Sequence, residues 1–571
     1  MKILLSVLFI AVIIFNSVLS AQDIGEFMGY YTHWDFHQNN SPDKYFEIIN
    51  INSAGEPVPV FIVNNNLLYR AGGNNWQMIQ PFGSTAYYSL PTLQFCKGGP
   101  LDGKILLSTI SQQNNGTLFS VVNPTDWQFY TFQANVDTFI TSFAYTPEGN
   151  IFGNYERHRS IYKSTNQGQS FFEYIQIGQG DPNVNLPEKL GSDFPIKVSA
   201  NGQYLACIGA VDNATATGDS IIYLYYSVDY GNSWQGKIIG VKSINDQIIN
   251  RNYRIFFNNF PQIAYEIDNN GIIHVTTNGY GEGTLPGSND TTEVFPLIYW
   301  NSNTEEWIAI TNMEREKPTD AVGRSVTNYY PWNSLGNAKP SLSASADGKS
   351  IVIIWESFEY NSDLTPSLQF NLFTQSGFNQ YYYSDLLCQI GLLDTATSTI
   401  IWLNEPIHIQ ASNNSRSEQN PIASPSLIVN EGGQNAILLN YVYYHDPIPG
   451  SFILGQNTRS DDGGWFFNSY NFTPSSIDET EMFISDYNLS QNYPNPFNPS
   501  TKISWQSPVG SHQTIKVFDV LGREVATLVD EFRDAGSYEI EFDAAGLSSG
   551  IYYYQLKSVD FVETKKMILL R

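Results

Sequence analysis

The 571-residue sequence predicts an all-β protein. Aromatic residues make up 14% of the chain and charged residues only 15%, a balance that favours large buried cores over a solvated, disordered chain. Short apolar runs alternate with turns that contain Gly, Asn or Asp, as expected for strands joined by hairpins. Both features recur along most of the chain, which indicates a repeat architecture.

The clearest repeat is the turn S-V-D-Y-G-N-S-W, from Ser227 to Trp234. Asp229 and the serines can accept backbone hydrogen bonds, Gly231 can take a positive φ, and Trp234 restarts an apolar strand. Ser164 to Phe171 repeats the pattern, with Gly168 kept and Asn in place of the acid. Degraded copies end at further closing aromatics: Trp76, Trp127, Trp307, near Tyr381, and Trp465.

A second repeat places a proline before a short strand and a tight glycine turn after it. Examples are Pro195 with Asn201-Gly202, Pro261 with Asn270-Gly271, and Pro340 with Asp347-Gly348. Each unit then holds four antiparallel strands. About seven such units over residues 22–470 predict a β-propeller, whose radial closure removes long exposed edges. Six or eight blades stay open as alternatives, because the copy near Tyr381 is faint.

The S-x-D-x-G-x-[ST]-W windows resemble the aspartate boxes, or BNR repeats, of sialidase-like bacterial propellers. The resemblance implies the propeller fold and a structural role for Ser227, Asp229, Gly231, Trp234, Ser164 and Gly168. It does not imply an activity, because the same turn occurs in enzymes, sugar binders and structural propellers.

The N-terminus carries export and closure signals. Residues 1–21 have Lys2, a short apolar run and small residues before Gln22, which predicts a secretory signal peptide and no membrane span after its removal. The aromatic-rich segment from Gly25 to Phe36 is predicted to pair with the last blade and close the ring.

Composition also limits the partners. The net charge of −26 argues against nucleic acid and anionic membranes, which need a basic footprint. No metal-loop spacing or phosphate loop occurs, so neither metal nor cofactor is predicted. Cys96, Cys207 and Cys388 are interpreted as structural residues; one disulfide is compatible with an exported protein, but the sequence does not choose a pair.

The long loops fall on one predicted face, formed by the second-to-third-strand loops and the links between blades, among them residues 385–424. Functional residues commonly lie in such loops, so the ligand site is predicted there. Aromatic rings could stack on sugars and carboxylates could hold hydroxyl groups; the alternative is that the rings pack blade against blade. The candidates are Tyr329, Tyr330, Trp332, Glu356, Tyr360, Tyr443, Tyr444, His445 and Asp446.

Catalysis is the weaker prediction. The sialidase resemblance would require an N-terminal F-R-I-P motif, an arginine cluster, and a tyrosine with a glutamate; the nearest string, Tyr253-Arg254-Ile255-Phe256, lacks the proline and comes late. No catalytic residue is assigned. The alternatives to a binding module are an extracellular glycoside hydrolase or lyase and a structural adhesion protein.

A linker at residues 471–485 precedes a second domain at 486–571, where short alternating strands predict a small immunoglobulin-like sandwich. Its N-Y-P-N-P-F-N-P-S-T opening, V-F-D-V-L-G-R-E-V centre, S-G-I-Y-Y-Y and K-K-M closely resemble the type IX secretion C-terminal sorting domain (type A, FlgD-like). The resemblance implies passage through the periplasm, recognition by the outer-membrane type IX machinery, and a secreted or surface location. The predicted function is therefore an exported propeller that binds a glycan, another extracellular polymer or a protein.

Overall fold

The structure is a computed structural model. It describes residues 26–29, 46–49, 57–63, 66–72, 75–83, 92–111, 115–155, 158–190, 194–215, 218–241, 248–250, 253–257, 262–284, 291–294, 296–310, 337–358, 384–394, 399–402, 406–410, 417–425, 427–430, 436–446, 464–472, 488–489, 492, 494–507, 511–533, 536–558 and 561–570. The chain divides into two compact units, residues 1–390 with 406–472 and residues 391–405 with 473–571.

The regular structure is β, as predicted. A 3-10 turn at Gly99–Leu101 is the single helical element within the described ranges. No helical segment of the described chain has the length and apolar character that a membrane crossing requires.

The first four sheets are four-stranded antiparallel meanders. Sheet one holds β2 (Phe46–Ile49), β3 (Val58–Val63), β4 (Asn66–Tyr69) and β5 (Gln77–Ile79), and sheet two holds β6 (Thr92–Phe95), β7 (Ile105–Ser111), β8 (Gly116–Val122) and β9 (Phe129–Gln133). Sheet three holds β10 (Ser142–Tyr145), β11 (Ile151–Asn154), β12 (Ser160–Ser164) and β13 (Phe172–Gln176), and sheet four holds β14 (Ile196–Val198), β15 (Leu205–Val211), β16 (Ile221–Ser227) and β17 (Gln235–Val241).

The next three sheets carry additional strands. Sheet five holds β18 (Ile248–Asn250), β19 (Tyr253–Phe257), β20 (Ala264–Ile267), β21 (Ile273–Thr284), β22 (Thr291–Val294), β23 (Leu297–Asn301) and β24 (Ile308–Ala309). Sheet six holds β25 (Asn337–Ala344), β26 (Ser350–Phe358), β27 (Ser384–Asp394), β28 (Thr399–Trp402) and β29 (Ile407–Gln410). Sheet seven holds β30 (Ser417–Ala423), β31 (Ile428–Asn430), β32 (Ala436–Asp446), β33 (Gly464–Phe472) and the N-terminal strand β1 (Glu26–Gly29).

The first blade strands of these seven sheets follow one another side by side, and β20 is the first blade strand of sheet five. Contacts run in chain order from β2 through β6, β10, β14, β20 and β25 to β30. β2 also contacts β32 of sheet seven, which completes the circle. The first unit is therefore a β-propeller with the first blade strands around its axis.

The N-terminal strand closes this ring, which confirms the prediction. β1 pairs antiparallel with β33, and Glu26 lies opposite Phe467. Glu26 also forms an ion pair with Arg70 of sheet one, while Trp465 packs against Phe61 with ring centroids 5.0 Å apart. The outermost strand of the last sheet thus comes from the opposite end of the propeller sequence.

Five of the predicted turns lie where the repeat places them, between the third and fourth strands of a blade. Their closing aromatics are Trp76, Trp127, Phe171, Trp234 and Trp307. The other two assignments are wrong. The window near Tyr381 precedes β27, the third strand of sheet six, and the window at Trp465 precedes β33, the third long strand of sheet seven. Segment 385–424, predicted as a link, contains β27 to β29 and most of β30.

The strands of residues 488–569 form a small β-sandwich of two antiparallel sheets. One consists of β34 (Asn488–Leu489), β35 (Ser500–Ser507) and β38 (Gly536–Asp543); the other follows the order β37 (Glu524–Arg533), β36 (Ser511–Asp519), β39 (Gly550–Ser558) and β40 (Phe561–Leu569). Alternate residues of β39 point inward, so Tyr552, Tyr554 and Leu556 join Trp505 and Met567 in one core.

Candidate functional site

The axis of the propeller contains a cavity of about 270 Å³. Its wall comes from the first blade strands and the tight turns that follow them, and rim residues such as Lys97 and Ala346 are exposed. The cavity therefore opens on the face of the tight turns, not on the loop-rich face where the sequence placed a site. Apolar side chains such as Phe95, Ile267 and Leu427 share the wall with charged ones.

A buried ion pair lies in this wall. The Lys197 Nζ atom is 2.5 Å from Glu266 Oε1 and donates a hydrogen bond of 2.7 Å to the Tyr265 carbonyl oxygen. The same Nζ lies 5.0 Å from the centre of the Tyr265 ring. Lys197 is 4% exposed and Glu266 6%, so both charges depend on each other and on these polar contacts for their solvation.

The pair belongs to a series of polar links between neighbouring first strands. Glu47 accepts a hydrogen bond from the Phe95 N–H at 2.8 Å, joining sheets one and two. Gln94 donates to the Tyr145 carbonyl at 3.0 Å and accepts from the Tyr145 N–H at 2.8 Å. These links satisfy backbone groups that first strands at the ring axis would otherwise leave unpaired. They also fix the cavity wall.

Asp268 adds a second buried carboxylate, after Glu266, to the wall. Its Oδ1 accepts the N–H groups of Asn270 and Ile272, both at 2.8 Å, and so holds the tight turn. Its Oδ2 lies 3.8 Å from His274 Nε2, and His274 Nδ1 lies 2.7 Å from the Tyr299 hydroxyl. Burial raises the pKa of Tyr299, so this hydroxyl is neutral at physiological pH. The cluster holds the Asp268 side chain in one position.

Two of these wall residues share a position in the repeat that the sequence prediction missed. Lys197 and Glu266 each stand five residues before the glycine of a tight turn, Gly202 and Gly271. Aligning the units on those glycines, rather than on the closing aromatics, would have placed the two side chains side by side on neighbouring first strands.

The Ser227 to Trp234 turn has a dense hydrogen-bond network. Ser227 Oγ donates to Asp229 Oδ1 at 2.8 Å and accepts from the Gly231 N–H at 2.9 Å. Asp229 accepts from the Ser233 N–H at 2.8 Å, and Trp234 Nε1 donates to the Gly231 carbonyl at 3.1 Å. Burial acts to raise the pKa of Asp229, but the hydrogen bonds from Ser233, Ser227 and the Asn232 backbone outweigh it and hold the pKa below its usual value.

The Ser164 turn repeats this geometry with an amide in place of the carboxylate. Ser164 Oγ donates to Asn166 Oδ1 at 2.9 Å and accepts from the Gly168 N–H at 3.0 Å. Asn166 Oδ1 accepts from the Ser170 N–H at 3.0 Å. The acceptor oxygen, rather than the negative charge, is the shared element of the two turns.

The predicted aromatic ligands of β32 lie in the protein interior. Tyr443 is 0% exposed and stacks on Phe466 at 5.9 Å, and Tyr444 is 4% exposed and packs edge-on against Trp465 at 5.6 Å. His445 is also buried and lies 5.3 Å from the Phe466 ring. A ring without an exposed face cannot stack on a ligand, so the structure corrects the prediction: these side chains pack β32 against β33.

The remaining predicted ligand residues are not brought together by a described contact. Glu356 is buried and forms an ion pair of 3.1 Å with Lys339, and Asp446 ends strand β32. Tyr329, Tyr330, Trp332 and Tyr360 lie outside the described residues. Within the described ranges, no group of three or more His, Cys, Asp or Glu side chains is placed to hold a metal ion.

The C-terminal unit matches a known family. Residues 491–570 match the family described as the secretion system C-terminal sorting domain. The C-terminal sandwich is a sorting domain. This assigns the chain to type IX export, and the protein is secreted or displayed at the outer cell surface.

Comparison with curated proteins finds no match. Among solved structures, the chain is similar to PorZ, a surface component of the type IX secretion system of Porphyromonas gingivalis, with 11% identity, 90% of this chain and 69% of that chain covered, and a TM-score of 0.26. It is similar to an ulvan lyase of polysaccharide lyase family PL25, with 12% identity, 75% and 94% covered, and a TM-score of 0.37. It is also similar to the Trypanosoma rangeli sialidase, with 11% identity, 88% and 86% covered, and a TM-score of 0.33. At such scores, these likenesses support no conclusion about activity.

Proposed function

We propose that this protein is a secreted binding module whose propeller holds an extracellular glycan at its axial cavity. The observation that carries the proposal is the cavity wall, where buried Lys197 and Glu266 stand beside apolar side chains. A sugar ring has hydroxyl groups that both donate and accept hydrogen bonds, and apolar C–H faces between them. The charged pair can form hydrogen bonds with the hydroxyl groups, and the apolar side chains can pack against the C–H faces.

The size of the cavity supports a chain end rather than a polymer segment. Its volume of about 270 Å³ lies just below the range of roughly 300–1,000 Å³ that is usual for small-molecule sites. One terminal or branching sugar residue suits this space, while the rest of the polymer stays outside. The net charge of −26 disfavours nucleic acid as the ligand.

The loop-rich face supplies a separate proposal for a second contact. Tyr329, Tyr330, Trp332 and Tyr360 are proposed to stack on a glycan at the loop-rich face, independently of the axial cavity. Their support is the residue type and the loop setting alone.

The test is a glycan-array screen of the purified mature protein, scored for both retained label and released sugar. Retained oligosaccharides that are competed by the free sugar support a binder. Released sugar would overturn the binding-module proposal in favour of a glycoside hydrolase or lyase. No retention and no release would refute a glycan ligand altogether.

A further inference from the structure

Acidic side chains outnumber basic ones in the cavity wall, and the buried lysine is already paired. The wall contains two lysines, Lys97 and Lys197, and three acidic residues, Glu47, Glu266 and Asp268. Lys197 is held between Glu266 and the Tyr265 carbonyl oxygen, so the buried cation already has its counter-charge inside the protein. Asp268 lies in the same wall, buried and bonded to its own turn.

This arrangement determines which ligand charge the cavity accepts. A ligand carboxylate or sulfate would enter beside Glu266 and Asp268, and like charges repel strongly where water is excluded. Attraction to Lys197 could offset that repulsion only by separating Glu266 from its ion pair, and breaking a buried ion pair is costly. Hydroxyl groups avoid this cost, because they can donate to the carboxylate and accept from the ammonium without separating the pair.

We infer that the cavity selects an uncharged sugar residue and discriminates against uronic, sialic and sulfated sugars. The inference rests on the proposed glycan-binding function and adds the ligand class. Lys197 and Glu266 are the specificity-determining pair, and they act through hydrogen bonds to ligand hydroxyl groups.

The experiment uses matched oligosaccharides that differ only at C6: glucose against glucuronate, galactose against galacturonate, and mannose against mannuronate. Binding of each pair to the mature protein is compared by label retention and then by calorimetry. The expected result is at least tenfold tighter binding of a neutral member than of its uronate. Equal or tighter binding of uronates would overturn the charge inference while leaving glycan binding intact; if no pair binds, both proposals fail.

The salt dependence of binding distinguishes repulsion of uronates by the cavity wall from repulsion by the acidic protein surface. If the acidic surface alone repelled uronates, discrimination would disappear at about 0.5 M salt, where the screening length is only a few ångströms. Charges buried in the cavity wall are screened much less. The inference therefore predicts that most of the discrimination persists at this salt concentration, and its loss there would refute a role for the cavity pair. This measurement needs no variant.

The variant Glu266→Gln tests the pair directly. Losing a hydrogen bond to a charged group weakens neutral-sugar binding by roughly ten- to a hundredfold. Removing the Glu266 charge also reduces the repulsion of a ligand carboxylate, so the preference for neutral sugars over uronates becomes smaller. The control is Glu305→Gln, which removes the same charge from an exposed ion pair with Lys237 between sheets four and five, away from the cavity lining. Melting temperatures and circular dichroism check both variants for folding. A folded Glu266→Gln protein with unchanged selectivity would refute the assignment of the pair.

Discussion

Gly231 offers a sharp test of how the propeller is packed. Its φ is +80°, and a Cβ built there would lie 2.3 Å from Phe152 Cζ of the preceding sheet. In Gly231→Ala, the left-handed backbone costs roughly 1–2 kcal/mol. Crowding against a buried ring in a well-packed interior adds about 1–3 kcal/mol. The expected loss of unfolding free energy is therefore about 2–5 kcal/mol, taking the two costs together.

Gly168 of the Ser164 turn is the matched control. Its φ is +87°, but the nearest atom to a built Cβ is Ile151 Cδ1 at 3.4 Å, an ordinary contact. Gly168→Ala should therefore carry the backbone cost alone, about 1–2 kcal/mol. The lower entropy of the unfolded alanine chain affects both variants equally and cancels in their difference.

The assay is thermal unfolding of the mature proteins, followed by tryptophan fluorescence. With an unfolding entropy of about 2.1 cal/mol/K per residue, a unit of about 450 residues loses roughly 1 °C per kcal/mol. Gly231→Ala should then melt about 2–5 °C below the wild type, and Gly168→Ala about 1–2 °C below it. Equal decreases in melting temperature for the two variants would refute the conclusion that Gly231 is packed closely against the Phe152 ring.

Four further outcomes follow from the structure. A protein that begins after Gly29, and so lacks β1, should melt at least about 1.5–3 °C lower, because burial of Met28 alone contributes about 1.5–3 kcal/mol; an unchanged melting temperature would contradict ring closure by β1. Because the pKa of Asp229 is lower in the folded protein, its ionised carboxylate stabilises the fold fully above its ordinary pKa of 3.8, and this stabilisation is lost as the pH falls through the folded pKa. In Asp229→Asn, the melting temperature should therefore fall less steeply with pH below about pH 4 than in the wild type. The three cysteines are free and buried, so native protein should not react with a thiol reagent while urea-unfolded protein exposes three thiols; fast native labelling would contradict their burial. Deleting residues 491–571 should leave the propeller in the periplasm, as immunoblots of cell fractions would show, and undiminished secretion would contradict the role of the sorting domain.

The local chemistry of the turns predicted much of the propeller from sequence. Asp229 and Gly231 specify a particular bend through hydrogen-bond acceptors and a positive φ, and these properties belong to the residues themselves. The windows near Tyr381 and at Trp465 failed because Ser, Asn, Asp and Gly favour many other turns as well. In sheet seven, the missing fourth strand comes from the N-terminus, so no turn before a fourth strand is needed there.

The site was harder to predict than the fold. Tyr443 and Tyr444 have aromatic side chains that could stack on sugars. Their strand lies in a sheet that is packed between two neighbouring sheets, so side chains that point to either side of it are buried. Lys197 and Glu266 are 69 positions apart in the chain and become partners only because adjacent sheets place equivalent strand positions together. Such contacts between neighbouring sheets depend on how the sheets are arranged around the axis. The sequence patterns predicted a ring of sheets but not which residues of neighbouring sheets face each other.

Closure of the ring has a consequence for the order of folding. β1 pairs with β33, so the contact that completes the last sheet joins Glu26 to Phe467 and spans nearly the whole propeller sequence. Loop-closure entropy makes contacts of such separation late events in folding, after the local hairpins have formed. The sorting domain at 491–570 follows β33 in the chain, so every strand that the ring requires has been synthesised before the export signal is complete. A chain that carries the complete sorting domain therefore always carries every strand of the propeller.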